Sequence, residues 1–430
     1  MTGPVTNWAG NVTFRARRIH RPSSLAELRD LVAGSTRVRA LGTGHAFNRL
    51  ADTTGDLISL AGLPPVMDLD PARGTVTVAA GVRYGELATY LHGAGYALHN
   101  LASLPHISVA GACATATHGS GDRNGNLATA VAALDLVTAG GDVVTVSRDS
   151  DPDRLSGSVV ALGALGVVTA VTLDVVPTFD VAQYVYDDLP DDRLRRHWAE
   201  IFASGYSVSV FTDWSALRVN QVWLKRRVGD ADATAPPERW LGATLADGPR
   251  HPVPGLPPVN CTPQLGGPGP WHERLPHFRL DFTPSSGEEL QSEFFVPRDL
   301  APAALDAVDG IRDRVAPVLQ ISEIRTVAAD DLWLSPSYRR DSLALHFTWV
   351  KDAGAVLPVV AALEERLAPL EARPHWGKIF TIAPEVVRGR YKRMPDFADL
   401  RGRHDPAGTF RNDLLDRYLP PVTPGQPGKP

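Results

Sequence analysis

The chain has 430 residues, 43% hydrophobic and 21% charged, with a formal net charge of −5. That length holds two domains with a core each, and the ordinary composition excludes disordered and collagen-like architectures. The negative balance and the lack of long basic runs argue against nucleic acid or an anionic membrane as partner.

No uninterrupted apolar stretch is long enough to span a bilayer, and the first thirty residues lack the apolar core of a signal peptide. Cys113 and Cys261 are the only cysteines, too few for a disulfide scaffold or a Cys-rich metal centre. A reducing, cytoplasmic setting and no metal are expected.

In chain order, Thr13 to Ile19 reads as a strand. Ser24-Leu25-Ala26-Glu27 is a capping box, in which serine and glutamate satisfy the first helix amides reciprocally, and it starts a helix through about Val32. Val38 to Leu41 is the next strand, so β-α-β opens the chain. It runs into Gly42-Thr43-Gly44, whose permissive backbone brings amide groups close to a ligand, and then into His45, Ala46, Phe47 and Asn48. The Rossmann fingerprint requires a third glycine where Phe47 stands, so a nicotinamide-binding turn is a poor reading. Val66 to Leu69 and Thr75 to Ala79 are strands around a Pro71 to Gly74 turn. Tyr84 to Ala94 is a helix stopped by Gly95.

Ala102 to Gly121 is almost entirely small or hydroxylic. Its backbone can pack within hydrogen-bond distance of a large flat ligand and its phosphates, although a tight helix crossing followed by a glycine loop accounts for the same composition. A hairpin of Leu134 to Thr138 with Val143 to Val146 follows. The long strand Val167 to Val176 closes at Pro177, where the first domain is expected to end.

Beyond Phe179, Tyr206 to Phe211 and Gln221 to Lys225 read as sheet strands. Gly229 to Trp271 is a proline- and glycine-rich connection of a length that is usually functional or disordered; its aromatics and Asn260-Cys261 favour an ordered wrap. A strand from Ile321 to Val327 puts Glu323 and Arg325 on one face, and a strand from Leu343 to Val350 does the same for His346 and Thr348, because side chains alternate across a strand. Both faces can look into one pocket. Taken alone, Glu323 with Arg325 reads as a surface ion pair, His346 as a satisfied core histidine and Lys378 as a solvated loop lysine. A helix from about Val356 to Leu370 precedes the turn His375-Trp376-Gly377-Lys378. The sequence has no Gly-x-Ser-x-Gly elbow, Walker loop, His-Glu-x-x-His or Cys-x-x-Cys, so hydrolase, NTPase and structural-zinc chemistries lack their parts. The residues by themselves lead to a two-domain α/β ligand-binding protein of enzymatic character.

Together, Gly42 to Asn48, Ala102 to Gly121, Glu323-x-Arg325 and the His375 to Lys378 turn resemble the FAD-dependent oxidases of the vanillyl-alcohol oxidase superfamily, in particular its alditol-oxidising branch. The likeness runs from Val5-Thr6-Asn7-Trp8-Ala9-Gly10 to Asp405-Pro406-Ala407-Gly408. It includes the insert His251 to Gly255, Asn260-Cys261-Thr262 and Gly269 to Phe278. Ala46 stands where the family often has serine. The resemblance implies an α+β, two-domain fold: a PCMH-type FAD-binding domain over residues 1–177, a substrate cap over residues 178–375 with a mixed or antiparallel sheet, and a segment 376–430 that rejoins the first domain, mobile after about Leu419.

The same resemblance implies FAD bonded covalently through His45. Its further contacts would be Leu41, Gly42, Thr43, Gly44, Ala46, Phe47, Ser103, Ser108, Gly111, Ala112, Thr115, Thr117, His118, Gly119, Val168, His375 and Lys378. Arg325, Lys378 and His346 are then catalytic, and Ser103, Glu323, Arg325, Thr348 and Lys378 bind a linear polyol. The implied reaction oxidises a terminal CH2OH to the aldehyde by hydride transfer to flavin N5, with O2 reduced to H2O2. A small-molecule polyol and O2 are the expected partners of a monomer. A sugar-1,4-lactone oxidase shares these motifs and stays open as the alternative, as does a dehydrogenase; intact Glu323, Arg325 and Lys378 argue against a binding protein without turnover.

Overall fold

The computed structural model describes residues 5–230, 236–282 and 287–421. The tail expected to be mobile falls, from residue 422, outside the described residues, as do residues 231–235 of the long connection. Strands β1 (Arg18–His20), β2 (Val38–Leu41) and β3 (Asp56–Ser59) form a parallel sheet in the order β1-β3-β2. The opening β-α-β is therefore not a pair of neighbouring strands: β3 inserts between them, with Asp56 opposite both Arg18 and Val38. The first strand is also shorter than expected, because Asp52 accepts hydrogen bonds from the backbone N–H (2.8 Å) and Nε (2.7 Å) of Arg15 and takes that amide out of the ladder. Helix α1 (Leu25–Ala33) does start at Ser24, whose hydroxyl accepts from the Glu27 amide at 3.2 Å. Glu27 returns the bond one residue early, to the amide of Ser23 at 2.7 Å.

A second, antiparallel sheet of β4 (Met67–Asp70), β5 (Thr75–Ala79), β6 (Val131–Val137), β7 (Val143–Ser147) and β8 (Val167–Asp174) has the order β4-β5-β8-β6-β7. Helices α2 (Tyr84–Gly93) and α3 (Val109–Ala114) lie between β5 and β6 in the chain, and their Leu87, Leu91, Val109 and Ala112 share one core with Val76, Leu134 and Val171 of this sheet.

The third sheet has ten strands, all paired antiparallel. Its long members are β9 (Asp180–Pro190), β10 (Ser207–Thr212), β11 (Arg218–Arg227), β12 (Glu289–Pro297), β13 (Leu319–Val327) and β14 (Ser342–Val350), in the order β9-β11-β10-β13-β14-β12. One face carries Val208, Val210, Val222, Leu224, Phe294, Ile324, Leu345 and Phe347, packed in one core with Ile201, Leu305, Val308, Val360 and Leu363 of three helices. Full burial of each such side chain contributes about 1.5–3 kcal/mol, which fixes which face of every strand turns inward. The residues between them must then point the other way.

After β14 the chain passes through the helix Ala353–Leu367 and returns to the first sheet. The Phe47 amide donates to Gly377 O at 2.7 Å, Asn48 Nδ2 donates to the carbonyls of Trp376 and Lys378 at 2.8 Å each, and the Val38 amide donates to Thr409 O at 2.8 Å.

Candidate active site

The alternation that buries Ile324, Leu345 and Phe294 sends Glu323, His346 and Glu293 to the opposite face, where register aligns them: His346 is the cross-strand partner of Glu323 on one side and of Glu293 on the other. Thr348, two residues on from His346, and Arg325, two on from Glu323, extend the same face. All of them, with Ser103 and Lys378, line one cavity of about 400 Å³. This space also takes in Leu41 to Phe47, Ser108, Gly111, Ala112, Thr115, Thr117, His118, Val168 and His375. Of the residues singled out in the sequence, Gly119 stands apart from that lining; a Cβ there would meet Leu101 O at 2.3 Å, so the glycine serves close packing of two backbone segments.

Glu293, on β12, is the residue the sequence reading missed. Its Oε1 accepts from Arg325 Nη2 at 2.6 Å and lies 3.1 Å from His118 Nε2, and its Oε2 accepts from Lys378 Nζ at 2.7 Å. Glu293 is 1% exposed. Burial by itself would push its carboxyl up, but Lys378, His118 and Arg325 hold it well below the usual carboxylate range. The ion pair expected between Glu323 and Arg325 is accordingly the weaker one, with 3.6 Å between Oε1 and Nε. Glu323 accepts instead from His277 Nε2 at 2.7 Å, a histidine of the insert to which the sequence reading gave no role. Arg325 Nη1 also reaches Ser103 Oγ at 3.3 Å. A sequence signal for Glu293 did exist: in Glu289-Leu290-Gln291-Ser292-Glu293 the charged and amide side chains recur every second position, as Glu323 with Arg325 and His346 with Thr348 do.

Lys378 is no solvated loop residue. Its ammonium donates to Glu293 and, at 2.6 Å, to His346 Nδ1, while His346 Nε2 lies 3.1 Å from Thr348 Oγ1. Burial lowers the Lys378 pKa from its ordinary value against the pull of Glu293, and burial together with Lys378 holds His346 well below the usual histidine value. The long connection and its sequel close over the site: the amides of His277 and Phe278 both point at Ser103 O, at 3.0 and 3.2 Å, and His251, Pro252 and Phe278 join the lining.

At the other end of the cavity, Gly44 takes φ +72° and turns the chain so that the His45 ring stacks on Trp8, 5.1 Å between centroids. His45 Nδ1 is 2.9 Å from Thr43 Oγ1, whereas Nε2 is buried and has no partner among the described residues. Burial, with His106 and Arg83 nearby, lowers the imidazole pKa to about 4, so the ring is neutral at pH 7. A flavin dinucleotide fits these residues. The walls are made of small groups packed closely around Ser108, a Cβ on Gly42 or Gly111 coming within 2.4 or 2.8 Å of its Oγ, and His45 Nε2 is a buried nitrogen left for a bound group to meet.

Residues 16–147 match the family described as FAD binding domain, and residues 288–418 the family described as D-arabinono-1,4-lactone oxidase. The chain is 54% identical over 424 residues to alditol oxidase of a Streptomyces species, covering 97% of this chain and 100% of that one. It is 32% identical to L-gulono-1,4-lactone dehydrogenase of Mycobacterium tuberculosis, covering 97% and 99%. Cholesterol oxidase from B. sterolicum superposes with a TM-score of 0.76 at 15% identity, covering 97% of this chain and 96% of that one. Xylooligosaccharide oxidase from Myceliophthora thermophila superposes with a TM-score of 0.75 at 15% identity, covering 98% and 94%; these two establish the fold. On its identity along the whole length, and on that fold, the chain belongs to the alditol oxidase family of flavoproteins of the vanillyl-alcohol oxidase type.

Proposed function

We propose that this protein oxidises a terminal CH2OH of an alditol such as xylitol or sorbitol to the aldose, with O2 as electron acceptor. The observation that carries the reading is the pair of cations, buried Arg325 and part-buried Lys378, held on one carboxylate in the cavity that also receives His45. When bound, the flavin supplies a two-electron acceptor for hydride at N5 and passes the electrons to O2, giving H2O2. The division of labour follows the sequence: residues 1–177 and 376–430 hold the cofactor, and residues 178–375 form the cap.

Three hydrogens of the Lys378 ammonium suit three acceptors, Glu293, His346 and the reacting hydroxyl oxygen. As the hydroxyl proton leaves, that oxygen gains negative charge, and Lys378 and Arg325 stabilise it until hydride departs and the C=O bond forms. The hydroxyl proton passes to Lys378 Nζ as Lys378 yields one to His346 Nδ1, whose lone pair is free because burial and Lys378 keep the ring neutral; the same burial makes it a weak base, so the transfer runs only together with hydride departure. Glu323, Ser103 and Thr348 hold the remaining hydroxyls of the polyol. His45 would hold the flavin covalently; its neutral ring supports a nucleophilic role, and mass spectrometry of the His45 peptide should show the adduct.

Cys113 and Cys261 are both free, which supports a reducing, cytoplasmic setting, and no helix among the described residues is long and apolar enough to cross a membrane. The enzyme would act as a monomer on a small polyol, without nucleic acid. Peroxide release across a panel of alditols and aldonolactones tests the reading. Xylitol should give peroxide and bleach the flavin without air, and gulonolactone should not; the reverse order would assign the chain to the lactone oxidases.

A further inference from the structure

Lys225, on β11, has no exposed surface, and among the described residues no carboxylate lies within ion-pair distance of its ammonium. Its Nζ donates to the carbonyl oxygens of Leu275 and, at 3.3 Å, Pro276, and lies 3.1 Å from Nδ1 of His277. Three hydrogens meet three acceptors. His277 Nε2 in turn lies 2.7 Å from Glu323 Oε1, and the edges of Phe211 and Trp223 enclose the ring at 5.4 and 5.1 Å between centroids.

The proton between Nζ and Nδ1 can sit on either atom, and both placements leave a hydrogen on Nε2 directed at Glu323. Burial opposes a second charge on the pair: it lowers Lys225 to about 7 and, with Lys225, lowers His277 to about 4, which leaves the proton mainly on Nζ. Glu323 needs this support because Arg325 spends its best hydrogen bond on Glu293.

We propose that Lys225 and His277 form a singly charged buried pair that positions Glu323, orienting the carboxylate and keeping it ionised for polyol hydroxyls that Lys225 never touches. The inference rests on the reading of Glu323 as a polyol-binding group. His277 and Lys225 are thus positioning residues, and losing the charge-assisted bond that His277 gives Glu323 should cost about tenfold in substrate binding.

Steady-state kinetics on xylitol, with flavin content and thermal midpoint recorded for each holoenzyme, decide it. His277→Gln carries an N–H to the place of Nε2, whereas His277→Asn reaches only the place of Nδ1. We expect His277→Asn to raise KM about tenfold with kcat reduced less than threefold, His277→Gln to stay within threefold of the parent, and Lys225→Met to follow His277→Asn. Equal KM values for the Gln and Asn variants, or a parental KM in folded Lys225→Met, would overturn the proposal. If Lys225→Met does not fold, the Gln and Asn pair decides alone. A parent that ignores xylitol refutes the polyol reading instead, so the two failures are distinct.

Discussion

Glu293 gathers Arg325, Lys378 and His118 around one carboxylate, and its removal tests what the cluster is for. Breaking a buried pair by deleting one partner costs about 3–5 kcal/mol, so Glu293→Ala should lower unfolding stability by that order in urea titration. Glu293→Gln keeps the shape but withdraws the charge that raises the Lys378 pKa; Lys378 then loses its proton at lower pH, and the alkaline limb of the kcat profile should move toward neutrality. Lys378→Met should slow anaerobic flavin reduction at saturating xylitol by on the order of 10²–10³, with a smaller change in Kd. Parental reduction kinetics in that variant would remove Lys378 from the chemistry. Strand alternation placed Glu323 with Arg325, and His346 with Thr348, on shared faces, while their roles came only from the family resemblance. Their partners were not legible in the sequence, since pairing Arg325 with Glu293 and Glu323 with His277 depends on sheet register and on where a loop folds back, neither of which has a local signature.

At the scale of elements, sequence patterns located β2 and β5 to the residue, because apolar and β-branched runs bounded by turn residues are local facts. They failed at β1, where the side chain of Asp52, thirty-seven positions away from Arg15, claims the strand's amide. The loop after β2 is the element most exposed to a single change. Gly44 holds φ +72°, a region that costs a side-chain-bearing residue about 1–2 kcal/mol, and its neighbour His45 is aimed by that turn. Gly44→Ala should therefore leave much of the protein as apo chain; flavin absorbance per mole of purified protein checks this, and a fully loaded variant would show that the turn tolerates the methyl group. Gly42 is constrained differently, by the 2.4 Å approach of its would-be Cβ to Ser108 Oγ.

For the molecule as a whole, buried neutral histidines make acid a denaturant. His375 is lowered to about 3 by burial and Lys378, and His404 to about 4 by burial, Arg154 and Arg403, against an ordinary value of 6.5. Between those limits the unfolded chain binds more protons than the folded one, so stability present above pH 6.5 is lost as pH falls toward 4. Below the ordinary glutamate value of 4.5, the depressed carboxyl of Glu293 adds a loss of the same sign. Urea midpoints should fall steadily from pH 7 to pH 5, and a flat profile would mean that these rings are protonated or solvated in the folded state. The same global view gives the bonds between Asn48 and the carbonyls of Trp376 and Lys378 a temporal meaning. The His45 loop leaves the ribosome well before the segment that clasps it, since 328 positions separate Asn48 from Trp376. A nascent chain that has released residues 1–375 can pair its long strands and still lacks the clasp, so a ribosome stalled there holds a protein whose His45 loop is open on that side.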